Sequence, residues 1–472
     1  MVSFRISAYL VALVIVLGVV FMPRTQYIGD PLAVRLEAWS IIENGSIEIP
    51  AKFAEEAGEP GQYFVKNISN GRYYCKYGIL NAVASLPALM AERLVCGELA
   101  PFLDNPRTLI LNIWNIILSA ALALLLTNLA ACFTEKALSA CLWTGTALYC
   151  SFGWNYLRAQ TTEILQWVLA TWLFLELVKI CREPSKASLV KAHVSFLLLI
   201  LTKSVYALFA PVILAVSWKT GGRKFTLYSC AALLGEALAV LWLNFYKFGS
   251  PWLSGYTQWT REAHFFSGNI FEGVLGFLFH PQKSIFIYEP LLIFALFGLA
   301  GFYRRFKAES LVFYASLAIF MLFNAQTINW GGHWSYGPRY LLAVLAPATL
   351  PALYLLDNMF SGSFSARRKL VAALAAIILA FSLFLQMQVN SLDFFTYYHA
   401  EAVLERSGAV KGCAALQKCP FGIVNMGLKR IAKDKSWPFW MNVTADEIGA
   451  EKAAADSAAL SKLVRSNYYF WD

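Results

Sequence analysis

The sequence predicts an all-α polytopic membrane protein, and three observations carry that prediction. The chain of 472 residues is 58% hydrophobic and only 14% charged, with a mean hydropathy of +0.54, above the apolar share of ordinary soluble domains, which is about one half. Apolar runs of roughly 18 to 22 residues, long enough to cross a ~30 Å hydrocarbon core at 1.5 Å per residue, recur almost to the end. Basic residues fall in short clusters between those runs. Such spans are helices, because a helix satisfies its own backbone polar groups where water is absent.

The net charge of +10 does not point to nucleic acid, because the clusters form no continuous stripe. The first run, Phe4 to Met22, is long and lacks a small-residue cleavage site, so it reads as a retained helix and not a signal peptide. About eleven spans are expected. They centre on Val14, Ile117, Ala147, Ala170, Leu198, Val212, Leu234, Phe294, Ala318, Val344 and Ile377. The spans around Leu198 and Val212 are short, as in a helical hairpin that only partly crosses.

With the N-terminus inside, four consecutive inner loops are basic: Arg182, Lys186 and Lys191; Lys219, Arg223 and Lys224; Arg304, Arg305 and Lys307; Arg367, Arg368 and Lys369. The short outer loops carry only Arg158, Lys203 and Arg339. This orientation puts three long segments outside, namely 24–106, 247–283 and the tail from Asn390. The chain divides into a transmembrane domain over 1–388, whose first outer loop is 24–106, and an extracytoplasmic segment over 389–472. That tail reads as a small folded appendage.

Cysteines 132, 141, 150, 181 and 230 fall in or beside spans, where cysteine acts as a small hydrophobe. Cys413 and Cys419 are suited to a disulfide in an oxidising compartment, and Cys75 with Cys96 is a weaker pairing. No Cys and His spacing suggests structural zinc.

Polar residues of chemical interest gather on the outer side. Gly29-Asp30-Pro31 follows the first helix, and Leu32, Leu36, Trp39 and Ile42 then recur at three- or four-residue spacing. This predicts an amphipathic interfacial helix over 31–44 with Gly45 beyond its end. Asp30 reads either as its cap or as a carboxylate at the membrane surface. Tyr73-Tyr74-Cys75-Lys76-Tyr77-Gly78 frames a lysine with tyrosines, suited to a lipid phosphate or to interfacial anchoring. Arg158 and Glu163 lie at the outer boundary between the third and fourth spans. A second carboxylate beside Asp30 permits shared metal binding or divided base and electrostatic roles, while a first-turn helix acid is the plainer account. In Trp330-Gly331-Gly332-His333-Trp334-Ser335-Tyr336-Gly337-Pro338-Arg339-Tyr340, the tryptophans offer faces for a sugar or prenyl chain. Arg339 offers a bidentate phosphate contact, and an aromatic belt is the plain alternative. Glu236 falls mid-span and needs a partner or wet cavity, with Lys203 a candidate if the short hairpin brings it close.

Four elements occur in order: Gly29-Asp30; Tyr73 to Gly78; Asn244-Phe245-Tyr246-Lys247-Phe248-Gly249-Ser250-Pro251 with Gly255-Tyr256; and Tyr336 to Tyr340. Together they resemble bacterial GT-C membrane glycosyltransferases of the protein O-mannosyltransferase and lipid A aminoarabinose transferase kind, over roughly 1–388. The chain departs from the best-described branches in having Gly-Asp-Pro for paired Asp-Glu, and no two prolines after Lys76.

The resemblance implies a GT-C bundle with interfacial helices in its first outer loop. It also implies inverting transfer of a sugar from a polyprenyl-phosphate carrier to a glycan, lipid or protein acceptor outside the bacterial inner membrane. By that likeness Asp30 and Glu163 are the catalytic carboxylates, with a divalent metal between them in some relatives. Lys76 and Arg339 are phosphate-binding cations, and Tyr77, Arg158, His333 and Tyr340 complete the substrate site, His333 being a geometric expectation only. A secondary transporter or flippase of a lipid-linked or small solute is the rival from another class, which inverted repeats and broken helices would favour.

Overall fold

The computed structural model describes residues 4–22, 30–56, 63–101, 105–158, 162–257, 260, 264–280, 283–332, 335–359 and 366–390. The tail with Cys413 and Cys419 lies outside these residues, as do Gly29, His333 and Trp334.

Helices dominate, as the apolar runs predict. In chain order they are α1 (Phe4–Val20), α2 (Asp30–Asn44), α3 (Ala51–Glu56), α4 (Ile79–Cys96), α5 (Asn105–Ala131), α6 (Ala137–Tyr149), α7 (Gly153–Arg158), α8 (Glu163–Arg182) and α9 (Lys186–Thr202). A 3-10 turn over Ser204–Phe209 leads to α10 (Ala210–Phe248), followed by α11 (Ile270–Phe279), α12 (Ile285–Tyr288), α13 (Leu291–Arg305) and α14 (Lys307–Ala325). A second 3-10 turn, Arg339–Leu341, enters α15 (Leu342–Ala348), and α16 (Ala352–Met359) and α17 (Ala366–Asn390) complete the described chain. Five helical stretches among the described residues are long and apolar enough to cross a membrane: Ile79–Cys96, Arg107–Ala131, Glu163–Arg182, Ser204–Phe248 and Lys307–Ala325. The helices are those of a multi-pass membrane protein. α8 is the central one, packed against α5, α9, α14 and α15.

The segments expected as a partial hairpin are resolved differently. α9 runs its full length, and α10 is broken at Gly222, whose φ of 63° and ψ of −157° end one helix and start the next. Residues Val212 and Leu234 therefore belong to two helices that meet at the basic end of the bundle. Glu236 on the second pairs with His193 Nδ1 of α9 at 3.0 Å, so Lys203 is not its partner.

Three features of the first outer segment differ from the sequence expectation. It contains a three-stranded antiparallel sheet, β1 (Glu48–Ile49), β2 (Phe64–Lys66) and β3 (Tyr73–Cys75), in the order β1-β3-β2. Cys75 and Cys96 are free thiols, not a bridge. α2 is not a one-faced interfacial helix, since Val34, Arg35, Leu36, Glu37 and Ala38 are all buried in succession. Its polar residues are matched from outside the helix. Arg35 forms a double hydrogen bond with Glu92 of α4 at 2.9 and 2.8 Å, and Glu92 also meets Arg107 of α5 at 3.0 Å.

α4 has the length and apolarity of a span, yet both of its ends meet the same end of the bundle. Asn81 Nδ2 donates to the Thr202 carbonyl at the close of α9, at 2.9 Å, and Glu92 reaches Arg107 at the head of α5. A helix tied at both ends to one side lies along the boundary and does not cross.

Glu37 carries a second matched charge. Lys247 Nζ donates to its Oε1 at 2.7 Å and to the Tyr77 carbonyl at 2.9 Å. Both side chains are fully enclosed, so this pair ties the end of α10 to α2 and to the strand exit. Glu37→Ala strands a buried ammonium and is expected to lower stability by about 3–5 kcal/mol, whereas Glu37→Leu with Lys247→Met recovers most of that loss. Unfolding of the purified protein in detergent measures both.

Candidate functional site

Asp30 and Glu163 are the first residues of α2 and α8, where the exposed amides and helix dipole favour negative charge. The chain brings these two helix starts to one guanidinium. Arg339 Nε donates to Glu163 Oε1 at 2.5 Å, and Nη2 donates to Asp30 Oδ2 at 2.8 Å. Tyr77 donates its hydroxyl to the other oxygen of Asp30. The Asp30 side chain keeps 30% of its surface open and Arg339 24%, while Glu163 is almost closed at 6%. Asp30 is thus the carboxylate an incoming molecule can reach.

Burial alone would push the Asp30 carboxyl up, but the charges of Arg339 and Lys76 and the bonds from Tyr77 and Arg339 outweigh it. The carboxyl is held below the usual carboxylate range. Tyr77 moves the opposite way, since burial and the neighbouring Asp30 charge push its phenol well above the ordinary value and it stays a donor.

Close backbone approach puts the lysines in place. Gly78 packs on the last turn of α9, where a Cβ would stand 2.0 Å from the Leu201 carbonyl oxygen, and its N–H donates to Thr202 O at 3.2 Å. This joins the strand exit carrying Lys76 and Tyr77 to Lys203. Gly255 likewise approaches Lys76 so closely that a Cβ would lie 2.1 Å from its carbonyl oxygen. That contact places Tyr256 beside Lys76, whose ammonium sits 5.4, 5.1 and 5.7 Å from the ring centres of Tyr63, Tyr77 and Tyr256. Gly337, at φ +65°, turns the chain against Phe152 just before Arg339.

Lys203, not among the expected site residues, stands in the turn between α9 and the first 3-10 helix, 5.2 Å above the Tyr340 ring. Lys283 is buried and donates to the carbonyl and hydroxyl of Ser335. Burial and then the Arg339 charge push the Lys203 ammonium down to about 8 and that of Lys283 down to about 7. The signal for Lys203 was a lone cation at an outer helix end, which spacing alone cannot separate from interfacial anchoring.

The other expected residues fall as follows. Tyr340 carries Lys203 on its face. Arg158 Nε donates to the Phe21 carbonyl at 2.6 Å, just past the end of α1. His333 lies outside the described residues. A divalent ion does not fit between Asp30 and Glu163, because Arg339 already bridges them. Among the described residues, no group of three or more His, Cys, Asp and Glu side chains is placed to hold a metal.

Next to the cluster runs a cleft between α2, α4, α5 and α8, lined by Pro31, Val34, Asn81, Trp114, Asn115 and Leu165 among others. Its residues adjoin both Asp30 and Glu163 in the chain.

No described protein family and no curated protein matches the sequence. Among solved structures the chain is similar to the archaeal oligosaccharyltransferase AglB from Archaeoglobus fulgidus, in complex with an inhibitory peptide and a dolichol-phosphate. That match has 11% identity and a TM-score of 0.49, over 86% of this chain and 58% of that one. It is also similar to ArnT from Cupriavidus metallidurans bound to undecaprenyl phosphate, with 14% identity and a TM-score of 0.47, over 97% of this chain and 73% of that one. Both neighbours are GT-C glycosyltransferases. The chain spans little more than half the length of the archaeal protein, and its chemistry is argued from its own residues.

The lowered lysines set a pH dependence. Each is charged below its folded value and loses that charge above it, so the positive charge of the site falls as pH rises through about 7 to 8. Affinity for an alkyl methyl phosphodiester, whose own charge is constant over this range, is expected to fall several-fold between pH 6.5 and 9. A fluorescence or calorimetric titration checks this.

Proposed function

We propose that the chain transfers a sugar from a polyprenyl-phosphate carrier to a hydroxyl-bearing acceptor at the cluster end of the bundle, the extracytoplasmic side by its charge bias, with inversion. The observation that carries this reading is the accessible Asp30 carboxylate, held on Arg339 beside Lys76 and Lys203, at the end of a helical bundle suited to lipid.

In this reading the acceptor oxygen attacks the anomeric carbon from the face opposite the phosphate, and the bond from that carbon to the phosphate oxygen breaks. The phosphate leaves with the bonding electrons, and the acceptor proton passes to Asp30. A carboxylate with a depressed pKa is a weak base toward a ground-state alcohol, so the proton moves late, once the oxygen has begun to bond carbon and has become acidic. Phosphate is a competent leaving group when cations meet its growing charge, and no strong general acid is needed. Arg339 orients the two carboxylates, Tyr77 fixes the second oxygen of Asp30, and Lys76 and Lys203 receive the phosphate. Glu163 balances the guanidinium from the closed side.

Asp30→Asn keeps shape and removes the base. It is expected to lower transfer from a labelled polyprenyl-phosphate sugar by about 10²–10⁴-fold, with insertion and melting behaviour unchanged. Transfer at the wild-type rate by the folded variant refutes the assignment.

A further inference from the structure

We propose that Lys203 completes, with Lys76, a clamp selective for a doubly charged phosphate monoester over a singly charged diester, so that the spent carrier binds more tightly than the sugar-loaded one. This rests on the transfer reading above and names which charge state of the carrier the site favours.

The first observation is the setting of Lys203. It closes α9 in an extended conformation, φ −160° and ψ 121°, and its backbone N–H is used by Leu199 O. Its side chain therefore leaves the helix axis at a position fixed by Gly78 and Asn81, both bonded to the carbonyl of Thr202. Among the described residues its ammonium has no hydrogen-bond acceptor and no carboxylate at ion-pair distance, only the face of Tyr340 at 5.2 Å. The side chain is only partly buried, so the ammonium stays within reach of an incoming ligand. A plain interfacial anchor would stand apart from the cluster, whereas Arg339, Glu163, Asp30 and Lys76 all act on Lys203 through space.

The second observation is the charge balance. Three cationic side chains, Lys76, Lys203 and Arg339, stand with two carboxylates, Asp30 and Glu163, leaving a surplus of one when all are ionised. The carboxylates are both committed to Arg339. The excess therefore sits on lysines, and among the described residues the Lys203 ammonium faces no protein acceptor.

The chemistry of transfer uses this excess directionally. A sugar phosphodiester carries one negative charge, and breaking its anomeric carbon–oxygen bond leaves a monoester that carries about 1.5 to 2 at pH 7. A cation surplus interacts more strongly with the second state than with the first, which speeds bond breaking and also slows release of the product.

The test titrates the purified full-length protein in detergent with farnesyl phosphate and with farnesyl methyl phosphate, with inorganic phosphate as a third ligand. At pH 7 the monoester is expected to bind at least about tenfold more tightly than the diester, and inorganic phosphate far more weakly than either. The preference should collapse at pH 5.5, where the monoester is singly charged. Lys203→Met is expected to bring the two lipids to near parity while Lys203→Arg keeps the preference; if the Met variant does not fold, Lys203→Gln is read in its place. Equal binding by the wild type, a preference that persists at pH 5.5, or an unchanged preference in a folded Met or Gln variant overturns the clamp. Inorganic phosphate binding as tightly as farnesyl phosphate overturns the carrier as its ligand. Wild-type protein that transfers sugar yet binds both lipids equally sinks the clamp alone. Folded protein that binds neither lipid and transfers no sugar removes the transfer reading with it.

Discussion

One guanidinium holds together groups that the chain keeps far apart: Arg339 is 309 residues from Asp30 and 176 from Glu163. Two carboxylates at neighbouring helix starts repel each other, and each helix start can soften that repulsion only in its first turn. A planar cation with several donors is the side chain that can meet both at once with directed hydrogen bonds, which an ammonium does less well. The start of α2, the start of α8 and the turn before α15 are therefore positioned by the same contact, and the packing around it keeps that contact from drifting.

The supporting structure is unusually polar for a chain this apolar. Glu37 with Lys247, and Glu92 with Arg35 and Arg107, are buried ion pairs in the first outer segment. Such pairs contribute little net stability because desolvation offsets the attraction, but removing one partner is severe, so they enforce one arrangement over its competitors. Lys247 illustrates the effect: by bonding both Glu37 and the Tyr77 carbonyl, it fixes the strand exit from which Tyr77 reaches Asp30. Accurate placement of Asp30 and Lys76 thus depends on residues that lie outside the cluster around Arg339.

The helices were legible because their evidence is local: an apolar run long enough to span, closed by charge, is readable without knowing its neighbours. The common side of Asp30, Lys76, Glu163 and Arg339 was legible from charge bias for the same reason. Pairings across the chain were not. Arg35 and Glu37 sit inside an apolar helix pattern and look solvent-facing until Glu92 and Lys247 are seen beside them. Strands of two or three residues, such as Tyr73–Cys75, carry too few alternations to stand out from an interfacial aromatic segment. Arg158 and Lys203 show the limit most sharply, since both are lone outer cations next to helix ends. Only the fold sends one to a backbone carbonyl just past α1 and the other to the face of Tyr340.

The commitment of Arg339 to two acids reassigns the charges of the site. A cation that neutralises carboxylates has little field left for an incoming anion, because the three groups together carry a net negative charge. In the proposed reaction the attraction for phosphate therefore comes from the lysines, and the flanking backbone contacts at Gly78 and Gly255 are where the chain fixes Lys76 and Lys203 relative to Asp30. The separation has a chemical consequence. If one cation served both the base and the leaving group, strengthening its hold on phosphate would weaken its hold on Asp30 as the reaction proceeds. In the proposed reaction the roles are divided: growing charge on the phosphate acts on the lysines, while Arg339 stays bonded to Asp30 and Glu163.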